Sequence, residues 1–482
     1  MSDSRPILFI LGILMSTLAL AMGLPAVADA AVQNPDWEVF ALASAFTLLI
    51  GVMLLLTTRS PNRTLDHRQA FVLTGLSWTV LPAFAALPLA FSELGLSYTD
   101  AFFEAMSGIT TTGATVLTGL EFAPPGILLW RALLQWLGGI GIIAMSIAIL
   151  PMLQVGGMQL FRAESAERSD KVIPRAAQFI AFVGFIYLGI TLCCALAYWL
   201  AGMSGFEAVV HAMTTIATGG FSTSDDSIAH FASPAIDGIA IVFMILGSLP
   251  FVLYLRALRG APGALWHDSQ VRWFLIITAV AVAVMTAYLF LKLSMGIAQS
   301  FRLASFHVVS LVTGTGYITT DFDNWGSFPM TLLLCLMFIG GCAGSTTCGI
   351  KVFRIQILFA TATTQIRQLL EPHGVFLAYY NGRPVTESIS DSVMSFFFLY
   401  VIGFSVIAIG LGATGLDFLT ATSGAATAIS NVGPGLGEMI GPTHTFATLP
   451  TAAKWLLCLG MLLGRLELFI VLVMLAPAFW RR

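Results

Sequence analysis

The chain has 482 residues, of which 57% are hydrophobic and only 10% are charged, and its formal net charge is −3. Soluble domains carry about 25% charged residues, so this composition excludes a soluble globular protein and predicts an all-α polytopic membrane protein. Apolar runs of about 20 residues, long enough to cross a bilayer core of roughly 30 Å, recur along the whole sequence.

The first 66 residues predict a two-helix N-terminal hairpin, residues 1–66. Residues 5–30 resemble a signal peptide, with an arginine, an apolar core and the small-residue end Ala-Asp-Ala. That apolar core is long for a signal peptide, and a second span, WEVFALASAFTLLIGVMLLL, follows after a short acidic loop. We therefore expect both spans to be kept in the mature protein.

Basic residues predict the orientation of the spans. Seventeen of the 22 lysines and arginines fall at the N-terminus, in four loops between spans and at the C-terminal end. By the positive-inside rule these loops and both termini are cytoplasmic. Most of the acidic residues fall in the intervening segments on the outside, and an acidic outer face attracts cations.

After the hairpin, one pattern occurs four times: an apolar span, a short Gly/Thr-rich segment and a second apolar span. We predict these pore repeats at residues 67–165, 166–262, 263–370 and 371–482. Their short segments, FFEAMSGITTTGATV, HAMTTIATGGFST, HVVSLVTGTGYIT and GAATAISNVGPGL, align without gaps and place Gly113, Gly220, Gly316 and Gly433 in one column. Internal repetition on this scale is a strong architectural signal.

The short segments predict re-entrant loops. About 12 residues cannot span a bilayer, and both flanking spans require each segment to begin and end on the outside. A half-helix then descends from the outside and a non-helical strand returns. Such backbone is tolerated at this depth only where it is buried in protein or lines a water-filled path. We therefore expect four loops around a pseudo-fourfold axis that enclose one pore.

Glycine has a specific use in such a loop, because it adopts positive φ without strain and lets successive carbonyl oxygens point to one side. A ring of carbonyls replaces the hydration shell of a monovalent cation, as in the TVGYG loops of potassium channels. The stretch 315–317 resembles the middle of that motif, whereas the other three loops keep only the glycine. A filter with one shared glycine per loop predicts looser selectivity than a four-site filter.

The fourfold plan with one glycine per loop resembles the Trk/Ktr/HKT superfamily of potassium transporters. The two extra N-terminal spans and the GRLELF stretch at 464–469 are most similar to the Trk-type pore-forming subunit of bacteria. This resemblance implies potassium uptake across the cytoplasmic (inner) membrane and no organic cofactor in this chain. It implies a selectivity filter formed by Thr111, Thr112, Gly113, Thr218, Gly219, Gly220, Gly314, Thr315, Gly316, Asn431, Val432 and Gly433. Of these, potassium would bind at Thr112, Gly113, Gly219, Gly220, Thr315, Gly316, Val432 and Gly433.

The same resemblance implies partners. In that family the pore subunit forms a homodimer with one pore in each subunit. A cytosolic ring of nucleotide-binding regulatory subunits, which bind ATP, ADP or NAD, controls it. The chain itself has no nucleotide-binding sequence pattern, and nothing in it indicates a nucleic-acid partner.

The segment FIGGCAGSTTCGIK, residues 338–351, interrupts the second span of repeat three with small residues. One interpretation is a close-packed helix crossing. The other is a break in the helix that forms a flexible plug beneath the filter, and the resemblance favours this plug as an intramembrane gate. The predicted gate and barrier residues are Gly340, Gly341, Gly344, Ser345, Thr346, Thr347, Gly349 and Arg465.

Arg465 stands out because it lies in the middle of the last apolar span. An arginine near the bilayer centre costs at least about 2.5 kcal/mol on insertion scales and faces a cavity or a partner. It could serve assembly alone, but we predict a positive barrier in the pore below the filter. Glu467 does not face Arg465 on a helix and needs another partner.

Three polar residues of the half-helices share one column of the repeats, and the sequence alone does not fix their role. Glu104, His211 and His307 could couple protons or form hydrogen bonds behind the filter. The function is then a gated potassium channel or a proton- or sodium-coupled potassium symporter. The outer acids could concentrate cations or be ordinary loop residues; they are Asp225, Asp226, Asp321 and Asp323.

Two other function classes fit less well. A carrier of organic solutes usually has inverted repeats, whereas these repeats run in one orientation. A membrane-embedded enzyme needs a catalytic set, and the sequence has no HExxH, GxSxG or Walker A pattern.

Overall fold

The computed structural model describes residues 4–59, 65–148, 157 and 172–481. This part of the chain is mostly helical and has almost no strand, which confirms the all-α fold class. Its helices are α1 (Arg5–Ala31), α2 (Asp36–Thr57), α3 (His67–Phe91), α4 (Tyr98–Ile109), α5 (Pro125–Ala148), α6 (Val172–Leu200), α7 (Gly205–Ile216), α8 (Pro234–Ser248), α9 (Phe251–Leu258), α10 (Ala264–His267), α11 (Ser269–Lys292), α12 (Ile297–Val312), α13 (Ser327–Met337), α14 (Val352–Leu370), α15 (Glu387–Ala413), α16 (Phe418–Ser430), α17 (Thr451–Arg465), α18 (Phe469–Leu475) and α19 (Pro477–Trp480). The strands β1 (Tyr379–Tyr380) and β2 (Arg383–Pro384) pair antiparallel.

Many of these helices are long and apolar enough to cross a bilayer. Among the described residues there are seven such helices, or nine if two bent helix pairs are counted as one span each. Large apolar side chains such as Leu42, Phe185 and Ile409 are exposed on their outer faces. Contact with lipid rather than water explains this exposure, so the chain is a multi-pass membrane protein.

The helices α1 and α2 pack side by side as a hairpin. A methyl group added at Gly12 would lie 2.8 Å from the carbonyl oxygen of Gly51, so small residues allow the two backbones to approach closely. At the end of α1, buried Asp29 accepts a hydrogen bond of 2.6 Å from the amide of Gly126 in the first turn of α5. The hairpin is therefore anchored to the rest of the protein.

Four short helices are buried among the long ones, and we call them half-helices. They are α4, α7, α12 and α16, with 12, 12, 16 and 13 residues. At about 1.5 Å rise per residue, a 12-residue helix is about 18 Å long and cannot cross a hydrocarbon core of roughly 30 Å. Each begins after a long helix, as the re-entrant prediction requires.

Three of the second spans are broken. The pair α8 and α9 bends by 92° at Pro250, and the pair α17 and α18 bends by 111° after Arg465. Pro250 disfavours helix at the break between α8 and α9. At the break between α17 and α18, Glu467 and Leu468 have positive φ. The expectation that Arg465 lies in the middle of a continuous span is wrong, because Arg465 is the last residue of α17.

The proposed division into one hairpin and four repeats, at residues 66, 165, 262 and 370, stays a prediction. The boundary at residue 165 lies outside the described residues.

The third break is the gap between α13 and α14, where residues 338–351 are not helical. The interpretation of this segment as a close-packed helix crossing is therefore wrong.

Candidate functional site

The four half-helices end in the same way. The residue two before each predicted filter glycine has a left-handed backbone; these residues are Thr111 (φ 54°), Thr218 (φ 50°), Gly314 (φ 70°) and Asn431 (φ 54°). The amide of the following residue then donates to a carbonyl five residues earlier. These bonds join Thr112 to Ser107 (2.8 Å), Gly219 to Thr214 (2.9 Å), Thr315 to Ser310 (2.9 Å) and Val432 to Thr427 (3.1 Å). This Schellman helix end turns each chain out of its half-helix at the same residue.

The residues six before each glycine supply the carbonyls that close these helix ends; they are Ser107, Thr214, Ser310 and Thr427. We call the segments that follow loops 1 to 4, residues 110–116, 217–223, 313–319 and 431–436. In loops 1 and 2 the left-handed residue is a threonine, and a β-branched residue in this conformation is strained. Such strain is concentrated at functional sites in proteins.

The four filter glycines form a closed ring with the carbonyls of their neighbours. A methyl group added at each glycine would collide with a carbonyl oxygen of the next loop: Gly113 with Gly219 (2.1 Å), Gly220 with Thr315 (1.9 Å), Gly316 with Val432 (2.0 Å) and Gly433 with Thr112 (2.9 Å). Each glycine also has positive φ. Glycine is therefore required at these positions for both space and conformation. The eight residues predicted to bind potassium are the members of this ring, which we call the carbonyl ring.

Behind the carbonyl ring, each half-helix holds the returning strand of its own loop. The polar side chains that do this are buried in the protein. The contacts are Glu104 to the amide of Val116 (2.9 Å), His211 Nε2 to Ser222 Oγ (3.0 Å), His307 Nε2 to the amide of Thr319 (3.4 Å) and Ser423 Oγ to the amide of Leu436 (3.0 Å). This geometry favours hydrogen bonding behind the filter over proton coupling for the two histidines.

The segment 338–351, which we call the plug segment, contacts loop 2. The Thr346 hydroxyl donates to the carbonyl oxygen of Gly247 (2.9 Å) and accepts from Thr218 Oγ1 (3.1 Å). The carbonyl of Gly344 accepts from the amide of Phe251 (3.0 Å) at the break between α8 and α9. The plug segment is thus bonded to loop 2 and to the residues at the break between α8 and α9.

Arg465 joins the plug segment to loop 1. Its side chain is 1% exposed, and its Nη1 donates to Thr111 Oγ1 (2.8 Å) and to the Thr346 carbonyl (3.3 Å). Its Nη2 donates to the carbonyl of Gly138 in α5 (2.7 Å). Within the described residues, no carboxylate lies at salt-bridge distance from this guanidinium, so it brings an uncompensated positive charge to the base of the carbonyl ring.

The structure identifies the partner of Glu467, which the sequence left open. Its carboxylate forms a buried ion pair with Arg354 of α14, 113 residues away in the chain. The Arg354 guanidinium also lies over the ring of Phe396, 3.8 Å from its centre. Sequence spacing alone could not join these elements.

Acidic residues that follow loops 2 and 3 bond to the segments that follow loops 1 and 4. Asp225 accepts from the amides of Gly119 (2.6 Å) and Leu120 (3.0 Å). Asp323 accepts from the amide of Gly437 (2.8 Å), and burial raises the pKa of its carboxyl. Asp225 and Asp323, two of the four acids predicted to face outward, therefore form structural bonds between segments that are distant in the chain.

Sequence analysis missed two polar residues near this site. Arg131 and Gln135 of α5 are buried and contact loop 2. A charged residue inside an apolar span was the signal that could have found Arg131.

Comparisons with known proteins agree over nearly the whole chain. Residues 37–482 match the family described as TrkH, cation transport protein. The Trk system potassium uptake protein TrkI of Halomonas elongata is 46% identical over 480 residues, which cover 99% of this chain and 97% of that protein. The Trk system potassium uptake protein TrkH of Escherichia coli strain K12 is 39% identical and covers 99% of both chains. The crystal structure of the potassium transporter TrkH from Vibrio parahaemolyticus matches with a TM-score of 0.92 and 38% identity over 99% of both chains.

Proposed function

Because this chain belongs to the TrkH family of cation transport proteins, we propose that it takes up potassium through the carbonyl ring. Members of this family are transport proteins and not enzymes. The relatives that match over the full chain are named potassium uptake proteins. Their names and the similarity of the folds support potassium as the transported ion.

The observation that carries the proposal is the closure of the carbonyl ring. Four glycines from separate loops pack against the carbonyls of Gly219, Thr315, Val432 and Thr112 in cyclic order. Carbonyl oxygens from four sides can replace the water around a dehydrated monovalent cation. Since the backbone supplies these oxygens, the ion needs no charged ligand.

We also propose that the plug segment and Arg465 gate this path. Arg465 is buried without a carboxylate among its described partners and bonds to both loop 1 and the plug segment. A fixed positive charge beside the path repels cations. Movement of the plug segment would carry a bonding partner of Arg465 with it, so plug and charge would act together.

The remaining parts of the proposal concern the setting of the protein. We propose an inner-membrane location with both termini in the cytoplasm, a homodimer, and a cytosolic nucleotide-binding regulatory subunit. The distribution of lysine and arginine supports the orientation. The dimer and the regulatory subunit rest on family membership alone.

A reversal potential tests the function directly. The purified chain is placed in a planar bilayer with a potassium gradient, a proton gradient is then added, and potassium is finally replaced by sodium on one side. A zero-current voltage that follows potassium and ignores pH supports a selective channel. A voltage that moves with pH in the presence of potassium supports proton-coupled symport instead. A current that does not distinguish potassium from sodium contradicts the potassium filter.

A further inference from the structure

Helix α5 directs two buried polar side chains at loop 2. Arg131 and Gln135 are four residues apart and so lie on one face of the helix. Gln135 Nε2 donates to the carbonyl oxygen of Gly219 (2.6 Å), and its Oε1 accepts from the amide of Phe221 (3.1 Å). Arg131 Nη1 donates to the carbonyl of Ser222 (2.9 Å). Three backbone groups of one returning strand are therefore held by one helix.

Arg131 is held on its other side by loop 1. Its Nε donates to Glu104 (2.8 Å) and its Nη2 to Thr115 Oγ1 (3.3 Å). Its guanidinium lies 4.1 Å from the centre of the Phe221 ring. Because every side of the guanidinium is occupied, Arg131 forms a rigid connection between loops 1 and 2.

This arrangement is not repeated in the equivalent helices. In each of α5, α8 and α17, one glycine packs against the carbonyl oxygen of the residue four before a filter glycine, and these three glycines define an equivalent level of the helices. The distances from an added methyl group to that oxygen are 2.0 Å for Gly138 and Ile109, 2.9 Å for Gly247 and Ile216, and 2.2 Å for Gly464 and Ile429. Three residues before these glycines stand Gln135, Met244 and Met461, and seven before them stand Arg131, Ala240 and Leu457. All six are buried. Of the three helices, α5 alone has polar residues there.

A buried arginine and a buried amide are costly unless they are fully paired. Apolar residues are sufficient at the same level of α8 and α17. The polar pair therefore serves something other than packing. The group it reaches, the carbonyl of Gly219, is a member of the carbonyl ring.

We infer that Gln135 and Arg131 are positioning residues that fix the Gly219 carbonyl and thereby determine how strongly the filter prefers potassium to sodium. This inference rests on the proposed function. A carbonyl oxygen has two lone pairs. Gln135 occupies one lone pair of the Gly219 oxygen and fixes the direction of the other. The oxygen therefore cannot move closer to a cation smaller than potassium.

The test compares Gln135→Met with wild type and with Met244→Leu in planar bilayers, using potassium on one side and sodium on the other. Gln135→Met places methionine in α5 at the position where α8 and α17 have Met244 and Met461. We expect the sodium-to-potassium permeability ratio to rise about fivefold, which corresponds to about 1 kcal/mol. Met244→Leu is volume-conserving at the same level of α8 and is expected to keep the wild-type ratio.

Gln135→Leu provides a second variant of similar size. It has neither the donor for Gly219 nor the acceptor for Phe221, so the permeability ratio is again expected to rise. A wild-type ratio in either folded Gln135 variant overturns the inference, even if its melting temperature falls, because a purely structural role changes stability without changing selectivity. A wild-type protein that does not prefer potassium overturns the proposed function instead, so the two failures are distinguishable.

Discussion

At Gly316 the backbone leaves no space for a side chain. The residue has φ +79°, and an added methyl group would lie 2.0 Å from the Val432 carbonyl oxygen. A side chain there must displace a carbonyl of the carbonyl ring. The same reasoning applies to the other three filter glycines, so sequence analysis identified these positions from a pattern whose cause is steric.

Gly316→Ser is therefore expected to raise the permeability of sodium relative to potassium. Gly95→Ser is the matched control, because Gly95 is also left-handed (φ +65°) but has no atom within 4 Å of an added methyl group. Both variants carry the left-handed cost of about 1 kcal/mol, and only Gly316→Ser disturbs a carbonyl. Reversal potentials with potassium opposite sodium measure the difference. An unchanged ratio in Gly316→Ser would remove this glycine from the filter.

Arg465→Ala is expected to increase potassium flux, because it removes a positive charge that bonds to both Thr111 and Thr346. We expect an increase of about tenfold, which corresponds to a barrier lower by about 1.4 kcal/mol. Arg465→Lys keeps the charge and should stay closer to wild type. Flux into potassium-loaded liposomes with a radioactive tracer measures this. A stable Arg465→Ala protein with lower flux contradicts the barrier.

At the scale of elements, the sequence predicted the half-helices better than the breaks in the long helices. Half-helices follow from short apolar segments that end in glycine, and these are local signals. The bend at Pro250 had a local signal that was not used. The break at Glu467 and Leu468 had none, and Arg354, the ion-pair partner of Glu467, lies on a distant helix. Contacts between distant helices arise only when the chain folds, and the spacing of residues in the sequence does not predict them.

The plug segment gives the prediction at this scale. Thr346→Val keeps the shape of the side chain but removes the hydroxyl that bonds to Thr218 and Gly247. The closed plug should lose about 1 kcal/mol for such a bond, so we expect the open probability to increase. Thr278→Val is the control, since among the described residues its hydroxyl bonds only to Phe274 of its own helix. Single-channel recordings compare the two variants, and equal open probabilities would argue against a gating role for Thr346.

At the scale of the whole molecule, the carbonyl ring depends on segments that are more than 300 residues apart in the chain. The segments that follow loops 1 and 2 are joined through Asp225, and those that follow loops 3 and 4 through Asp323. The segment after loop 4 returns to loop 1 through the amide of Phe446 and the carbonyl of Thr115 (2.8 Å). The order of the loops follows from the repeats, but these connections could not be predicted from one sequence. Arg131 had a local signal, a charged residue inside an apolar span, but its partners in loops 1 and 2 could not be predicted from the sequence.

Because all four loops contribute to the carbonyl ring, an ion bound there should stabilise the folded protein as a whole. A ligand that binds only the native state adds RT ln(1 + [L]/Kd), about 2.7 kcal/mol at a hundredfold excess over Kd. We therefore expect the melting temperature in detergent, at constant ionic strength, to decrease in the order potassium, sodium and choline. Gly316→Ser should reduce the difference between potassium and sodium, whereas Gly95→Ser should keep it. Choline is much larger than potassium or sodium and serves as the cation that does not bind, so equal melting temperatures in potassium and choline would show that the carbonyl ring does not bind potassium in the resting protein.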